Sequence, residues 1–349
     1  MENNLKISVV MPVYNSGIYL KQAVQSILTQ NFYDFELIIV DDGSTDGSAE
    51  LCDYYSQIDS RVIVIHQKNS GLCNARNAAL SIARGEYVAF SDHDDEYLQN
   101  LLNDNYAFVK EYNLDFVKFC KKWDTLKNGK MLYSSTNKIS TMVLDRNAIK
   151  ANIMDLNKRD FFSCVWDGLY KRSFLEEHKI TFNPFFKFGG EDYDFIYRCL
   201  IAANRIGLNS KVYYHHYTRY EFSTSAKFDP NKIEVVKKRF EMFKSLTDAY
   251  SLNLNNYAEE YTRFFIKDCV IPIVMQLNRG NLAIKEKIKV LDSLQNASYN
   301  YDFISFHILG IRKFKHLAVV HFLFIKKKYK VLLKLYKVKE FIRINILKK

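Results

Sequence analysis

Six cysteines are scattered through 349 residues without a single CxxC pair. That spacing argues against a disulfide framework or a zinc site and for buried thiols in a reducing compartment. No basic segment precedes the first apolar run in MENNLKISVVMP, so no signal peptide is expected. No uninterrupted apolar run approaches the roughly 20 residues of a spanning helix, and Leu317–Ile325 is broken by His321. Internal repeats and low-complexity segments are absent as well. A cytoplasmic protein is expected. Most of the chain also lacks a charge excess. Thirteen of the 50 Lys and Arg residues, against one acid, lie from Ile311 onward, which accounts for the whole net charge of +11. The body is near neutral, so an anionic partner is expected for the tail alone.

What is present begins with alternation. Lys6–Pro12, Phe35–Asp42, Arg61–Gln67 and Glu86–Asp92 are short, nearly continuous apolar runs rich in β-branched residues, as in strands of a parallel sheet buried on both faces. Helix-length segments lie between them at Gly17–Thr29, Asp46–Gln57 and Leu72–Ala83, the last closed by Gly85. The pattern predicts a doubly wound α/β sheet. Ligands of such sheets bind beyond the carboxyl ends of the strands. Those ends carry PVYN, DDGSTD, QKNSG and DHDD. From about Phe228 the chain changes to long, Lys- and Leu-rich helical segments, with breaks expected near Asn253–Asn256, Gly280 and Ser298–Asn300. A domain over 1–228 and a helical region over 229–349 follow.

The acids at these strand ends carry the chemistry. Residues two apart in an extended segment face the same side, so Asp92 and Asp94 present two hard oxygen ligands together, a donor set suited to Mn²⁺ or Mg²⁺. The plainer reading is an acidic turn in which Asp94 or Asp95 caps the next helix. At Asp41-Asp42, Thr45 or Asp46 serves as a helix cap, and one of the two adjacent acids is expected to be free for a base or ribose.

Taken in order, VVMPVYN, ELIIVDDGSTDGS, NSGLCNARNAAL, GEYVAFSDHDD and the later CVWDGLYKRSFL…FGGEDYDFIYRCL resemble the family 2 glycosyltransferases, over roughly residues 5–225. The resemblance implies the GT-A nucleotide-diphospho-sugar transferase fold, doubly wound and mostly parallel, with a helical C-terminal extension. It places Pro12, Val13, Tyr14, Asp42 and Arg76 at the nucleotide, Asp92 at the ribose, and Asp94 at the metal. Arg76 is otherwise a helix-surface arginine. Glu191 and Asp192 match the catalytic acidic pair, with Asp192 as the base that takes the acceptor proton. Otherwise they are acids favoured at a helix start. His216, rather than its neighbour His215, is expected over the metal or diphosphate, since adjacent strand residues face opposite sides. Trp166 and Tyr170 are read as an acceptor platform or as core aromatics, and Ser223 and Ser225 as part of a donor-covering loop. His93 departs from the family pattern, as does the absence of a proline shortly after the acids.

The function implied is metal-dependent, inverting transfer of a sugar from a nucleotide-diphosphate donor, expected to be a UDP-sugar, to a hydroxyl of a growing surface glycan or lipid-linked acceptor. A sugar nucleotidyltransferase is the alternative, although PVYNS lacks a basic, phosphate-cradling first loop. A nucleic-acid-binding protein rests only on the basic tail, which has no recognised module, so no specific nucleic acid is expected. In residues 326–349, Lys330, Lys334 and Lys337 share one helical face, with Leu335, Ile342 and Ile346 opposite and Lys339 intruding. Such a helix suits an anionic membrane surface, which puts the protein peripherally on the inner face of the cell membrane. The alternative is a helix packed on the catalytic domain.

Overall fold

The structure is a computed structural model and describes residues 5–127, 129–186, 189–219, 231–298 and 315–346. Chain contacts define two compact units, one over 1–187 and 191–222, the other over 188–190 and 223–349. Ser223 and Ser225 lie outside the described residues, as does the expected boundary at 228.

The first unit opens with β1 (Ile7–Val13), a 3-10 turn (Gly17–Tyr19) leading into α1 (Leu20–Leu28), β2 (Phe35–Asp41), α2 (Ser48–Ile58), β3 (Val62–His66), α3 (Leu72–Ile82) and β4 (Tyr87–Phe90). These are the expected strands and helices, each within two or three residues of its expected ends. They continue into β5 (Glu96–Tyr97), α4 (Leu101–Tyr112), β6 (Phe116–Lys127), β7 (Lys130–Thr136), β8 (Met142–Asp145), α5 (Arg146–Lys158), β9 (Gly168–Lys171), α6 (Arg172–Glu177), α7 (Glu191–Ala202) and β10 (Arg205–Arg219).

The strands form a 10-stranded sheet in the order β3-β2-β1-β4-β9-β6-β10-β5, with β7 on β6 and β8 on β10. Pairing is parallel among β1 to β4 and between β6 and β10, and antiparallel elsewhere. The sheet is therefore mixed rather than mostly parallel. The difference arises where β9 slots antiparallel between β4 and β6, in a region without the strand–helix rhythm of the first 90 residues. β1, β2 and β4 are buried along their whole length, but β3 is only partly so because it forms the sheet edge.

Local chemistry explains the frame. Leu20, Ala23, Val24 and Ile27 give α1 one apolar stripe, and all four are buried. Burying each of the larger aliphatic chains contributes about 1.5–3 kcal/mol before entropy is charged. Gly85 lies where the backbone passes so close to β1 that a Cβ would stand 2.4 Å from Ser8 N, which explains a glycine there beyond closing α3. The cap at α2 is Gly47, with a left-handed φ of 89°, while Asp46 accepts from Ser48 N at 3.1 Å and Gly17 N at 2.8 Å.

The second unit comprises α8 (Asn231–Ala249), α9 (Ala258–Phe264), a π-helical turn (Phe265–Val270), α10 (Ile271–Arg279), α11 (Ile284–Ser298), α12 (Lys315–Ile325) and α13 (Tyr329–Ile346). Gly280 ends α10. The basic tail is interrupted at Lys326–Lys328, where Lys327 takes a φ of 52°. Among the described residues no helix is long and apolar enough to cross a membrane.

Candidate active site

The loops after β1 and β2 are laced together. Asn15 N donates to Ser44 Oγ at 3.0 Å, Asn15 Oδ1 accepts from Thr45 N at 2.8 Å, and Ser16 N donates to Ser48 Oγ at 3.0 Å. Pro12 and Val13 end β1 in the core, and Tyr14 stands half exposed at the rim. Neither acid of the Asp41-Asp42 pair is free, contrary to expectation. Asp41 accepts from Ser44 N at 3.0 Å and meets His66 Nδ1 at 3.0 Å. Asp42 accepts from Gln67 Nε2 at 2.7 Å and from the backbone N–H groups of Ser70 and Gly71, both at 2.8 Å. The turn after β3 presents a converging set of donors that a sequence reading leaves out of account. Asp42 thus ties the end of β2 to the turn after β3.

At the end of β4 each acid has a cation from the protein itself. Arg76 Nη2 donates to Asp92 Oδ1 at 3.0 Å, Arg219 Nη1 to Asp94 Oδ2 at 2.8 Å, and His216 Nδ1 meets Asp95 Oδ2 at 2.8 Å. Asp95 also accepts from the Tyr214 hydroxyl at 3.0 Å and from Tyr217 N at 2.9 Å. It is wholly buried, which excludes it as an exposed cap. Burial and the neighbouring acids push its pKa up against the pull of His216. Burial draws the His216 pKa down, but the Asp95 charge outweighs this and leaves it raised.

Arg76 is not a surface arginine; it is buried on α3. Its Nη1 donates to Asp192 Oδ1 at 2.8 Å and lies 3.5 Å from Glu191 Oε1, and its face covers Phe182 at 4.9 Å. One guanidinium therefore joins the end of β4 to the start of α7. Both acids of α7 have raised pKa values, caused first by burial. Glu191, further pushed by Asp192, reaches about 7. For Asp192 the Arg76 contact opposes the rise. Two adjacent carboxyls with unequal partners can take unequal roles, one protonated and one ionised near neutrality. They also stand in the first turn of α7, so their favourable place on the helix dipole and their membership of the cluster hold together.

His216 is the histidine that reaches the acids; His215 turns to Asp124, at 2.7 Å. Tyr170 is excluded as an acceptor platform. It is fully buried among Phe90, Phe116 and Phe195, with its hydroxyl on Val165 O at 3.1 Å. Trp166 is also buried, stacked on Tyr214 at 4.2 Å and on His216 at 5.2 Å, so it backs the histidine and offers no open face. Arg219 was not foreseen. It lies over Tyr19 at 3.9 Å, and only the fold brings it to Asp94.

The donor set suits a hard divalent cation. Asp94 Oδ1 is left over from the bond to Arg219, and with Nδ1 on Asp95 the His216 Nε2, which lies 3.4 Å from Thr218 Oγ1, is the ring nitrogen that could ligate a cation. Among the described residues no group of three His, Cys, Asp or Glu side chains gathers as a closed metal cage.

The model for glycosyl transferase family 2 matches residues 8–178. Glycosyltransferase GlyG of Streptococcus pneumoniae is 46% identical over 112 residues, 32% of this chain and 37% of that protein. Putative glycosyltransferase EpsH of Bacillus subtilis is 30% identical, over 74% of this chain and 72% of its own length. The crystal structure of Staphylococcus aureus TarS in complex with UDP-GlcNAc is similar in fold, with a TM-score of 0.69 at 22% identity, covering 96% of this chain and 91% of that one. The chain spans only 30% and 53% of the length of two other curated relatives, one from S. pneumoniae and one from Escherichia coli. It belongs to glycosyl transferase family 2 and has the GT-A fold, with a mixed sheet and a helical C-terminal region.

Proposed function

We propose, with that family membership as premise, that the chain transfers one sugar from a nucleotide-diphosphate donor, a UDP-sugar, to a hydroxyl of a growing surface glycan, with inversion. The observation that carries this is the Arg76 bridge, which ties Asp92 on the donor side to the Glu191–Asp192 pair. TarS, a poly(ribitol-phosphate) β-N-acetylglucosaminyltransferase solved with UDP-GlcNAc, supports the donor and acceptor classes.

Pro12, Val13, Tyr14 and the loop held by Asp42 form the wall for the base, and Asp92 faces the ribose. Asp94 and His216 Nε2 would hold Mn²⁺ or Mg²⁺, which would supply positive charge to the diphosphate. Asp192 takes the proton of the acceptor hydroxyl as that oxygen bonds to the anomeric carbon. The bond from that carbon to the diphosphate oxygen breaks, and the electron pair leaves with the nucleoside diphosphate. A positioned base contributes about 10²–10⁴-fold, and alignment of the two substrates adds to it. Burial raises the Glu191 carboxyl to about 7, and Asp192, whose Oδ1 accepts from Arg76, is the member of the pair assigned as base.

Residues 1–228 form the catalytic domain in this reading, and the tail docks on an anionic membrane that carries a lipid-linked acceptor. In α13, Tyr329, Leu332, Leu333 and Tyr336 are buried, whereas Val331, Leu335 and Val338 are exposed beside exposed Lys330, Lys334 and Lys337. An apolar stripe beside lysines is the pattern of an interfacial helix.

The test is nucleoside-diphosphate release across a panel of nucleotide sugars, with and without chelator. Release from a uridine donor, lost in chelator and restored by Mn²⁺ or Mg²⁺, is expected. Release that chelator leaves untouched would remove the metal from the reading. No release from any donor, with a glycan acceptor present, would overturn the transferase.

A further inference from the structure

A second buried charge cluster lies behind the site, and the transfer chemistry above makes no use of it. Lys118 and Lys121 of β6 and Asp167, just ahead of β9, are all fully enclosed. Lys118 Nζ donates to Asp167 Oδ1 and to the Cys164 carbonyl. Lys121 Nζ donates to Asp167 Oδ2 at 2.5 Å and to Asp160 O at 3.2 Å, and its charge sits 4.8 Å from the Trp123 ring centre and 4.9 Å from that of Trp166. Phe119 N donates to Asp167 O at 3.0 Å, which fixes the aspartate to the sheet.

Two lysines share one carboxylate: the Asp167 charge holds the Lys121 pKa up at about 12, whereas burial, aided by Lys121, draws that of Lys118 down against the pull of Asp167. A buried charge without a counter-charge is expensive. Across the 160–167 segment stands a surplus of acids, one guanidinium facing Asp92, Asp192 and Glu191. A charged Lys118 finds its counter-charge there, since its field opposes the rise in the Asp192 pKa. Contact between the two clusters runs through the segment that the lysines hold. Val165 N points to Asp192 Oδ2 at 3.4 Å, and Trp166 backs His216.

We propose that Lys118, locked with Lys121 on Asp167, is a positioning residue for Asp192: it holds the Cys164–Asp167 segment against that carboxylate and supplies the counter-charge for its ionised form. This rests on the reading of Asp192 as the base. The groups facing Asp192 are Arg76 and Cys73 from α3, Asp92 from the end of β4, Lys118 from β6, Cys164 from the held segment, Tyr170 from β9 and Glu191 beside it. Burial keeps the two thiols and the phenol neutral, with both thiols pushed up to about 12. The positive charges are therefore those of Arg76 and Lys118. Removing that of Lys118 must raise the Asp192 pKa and make the base harder to ionise.

The experiment is the pH profile of kcat for nucleoside-diphosphate release by wild type, Lys118→Met, Lys118→Arg and Asp192→Asn. Lys118→Met leaves a neutral Lys121–Asp167 pair. It is expected to move the acid limb up by roughly one pH unit, with about a tenfold loss below the limb and recovery to within about threefold on the plateau. Lys118→Arg is expected to bring the limb back toward its wild-type position. If Lys118→Met does not fold, as read by its melt, Lys118→Gln takes its place, keeping donors for the carbonyl and carboxylate without the charge. An unshifted limb, or a loss equal at every pH, overturns the proposal. Full transfer by Asp192→Asn instead sinks the base reading itself, so the two failures are distinguishable.

Discussion

Arg76 Nη1 and Asp192 Oδ1 stand 2.8 Å apart although 116 positions separate them in the chain. Through this contact the carboxyl end of β4 and the acidic start of α7 become one electrostatic unit. Arg76→Met removes the cation from among three largely buried carboxylates. Breaking a buried pair from one side costs about 3–5 kcal/mol, so a lower urea midpoint is expected along with loss of turnover. Arg76→Lys keeps the charge but not the fork, and is expected to recover part of the stability without the rate. A Met variant as stable as wild type would show that the acids are solvated.

Asp42 makes a separable prediction, because its oxygens are engaged within the chain. In Asp42→Asn one acceptor oxygen becomes an amide donor facing the N–H groups of Ser70 or Gly71. Leaving such donors unmet costs about 1–3 kcal/mol. The donor-free protein should therefore melt earlier, in addition to any rise in KM for the donor. An unchanged melt with a raised KM would assign Asp42 to the ligand alone.

How much of this was legible in the sequence depends on where each partner sits. The first four strands announced themselves because they are short, apolar and separated by helices, and their polar ends marked the cleft. Asp92, Asp94 and the Glu191–Asp192 pair stand out in the sequence as acids, and the structure gathers Asp92, Glu191 and Asp192 on Arg76. Their partners do not stand out. Arg219 lies 125 positions from Asp94, and His216 lies 121 from Asp95, so only the sheet order brings them together. Nothing in FVKFCKKW singles out Lys118 and Lys121, because their partner Asp167 lies more than forty residues on. Tyr170 illustrates the converse error: a motif aromatic near acids looks like a platform, and burial alone reveals it as core.

Glu191 gives a prediction about pH and stability. Burial first, and Asp192 second, raise its carboxyl from the ordinary 4.5 to about 7. A folded-state pKa above the unfolded one means that the folded protein holds the proton more tightly. The associated stability is fully present below 4.5 and is lost as pH rises through about 7. Relative to Glu191→Gln, which cannot ionise, wild type should lose up to about 3 kcal/mol over that window. Urea melts of both proteins between these limits check it. Parallel curves would place Glu191 in contact with water and at its ordinary pKa.

The tail can be tested without cutting it. Truncation before Lys326 would remove Tyr329 and Leu332, both buried, and the Leu333 carbonyl that accepts from Asn278 Nδ2 at 2.9 Å, so it opens the core of the helical unit. Charge substitution leaves that core alone, since Lys330, Lys334 and Lys337 are exposed and make no ion pair among the described residues. Each lysine near anionic lipid contributes about 1 kcal/mol, so the triple change to Gln should weaken sedimentation with anionic vesicles by roughly a hundredfold. The effect should fade at high salt, where the surface charge is screened. Val331→Ser with Leu335→Ser should weaken binding through lost apolar contact instead, with little change in its salt dependence. Transfer to a small soluble acceptor should survive both sets, because neither touches Arg76, Asp92 or Asp192. If full-length protein ignores anionic vesicles at low salt, the exposed stripe has another purpose and the membrane assignment falls.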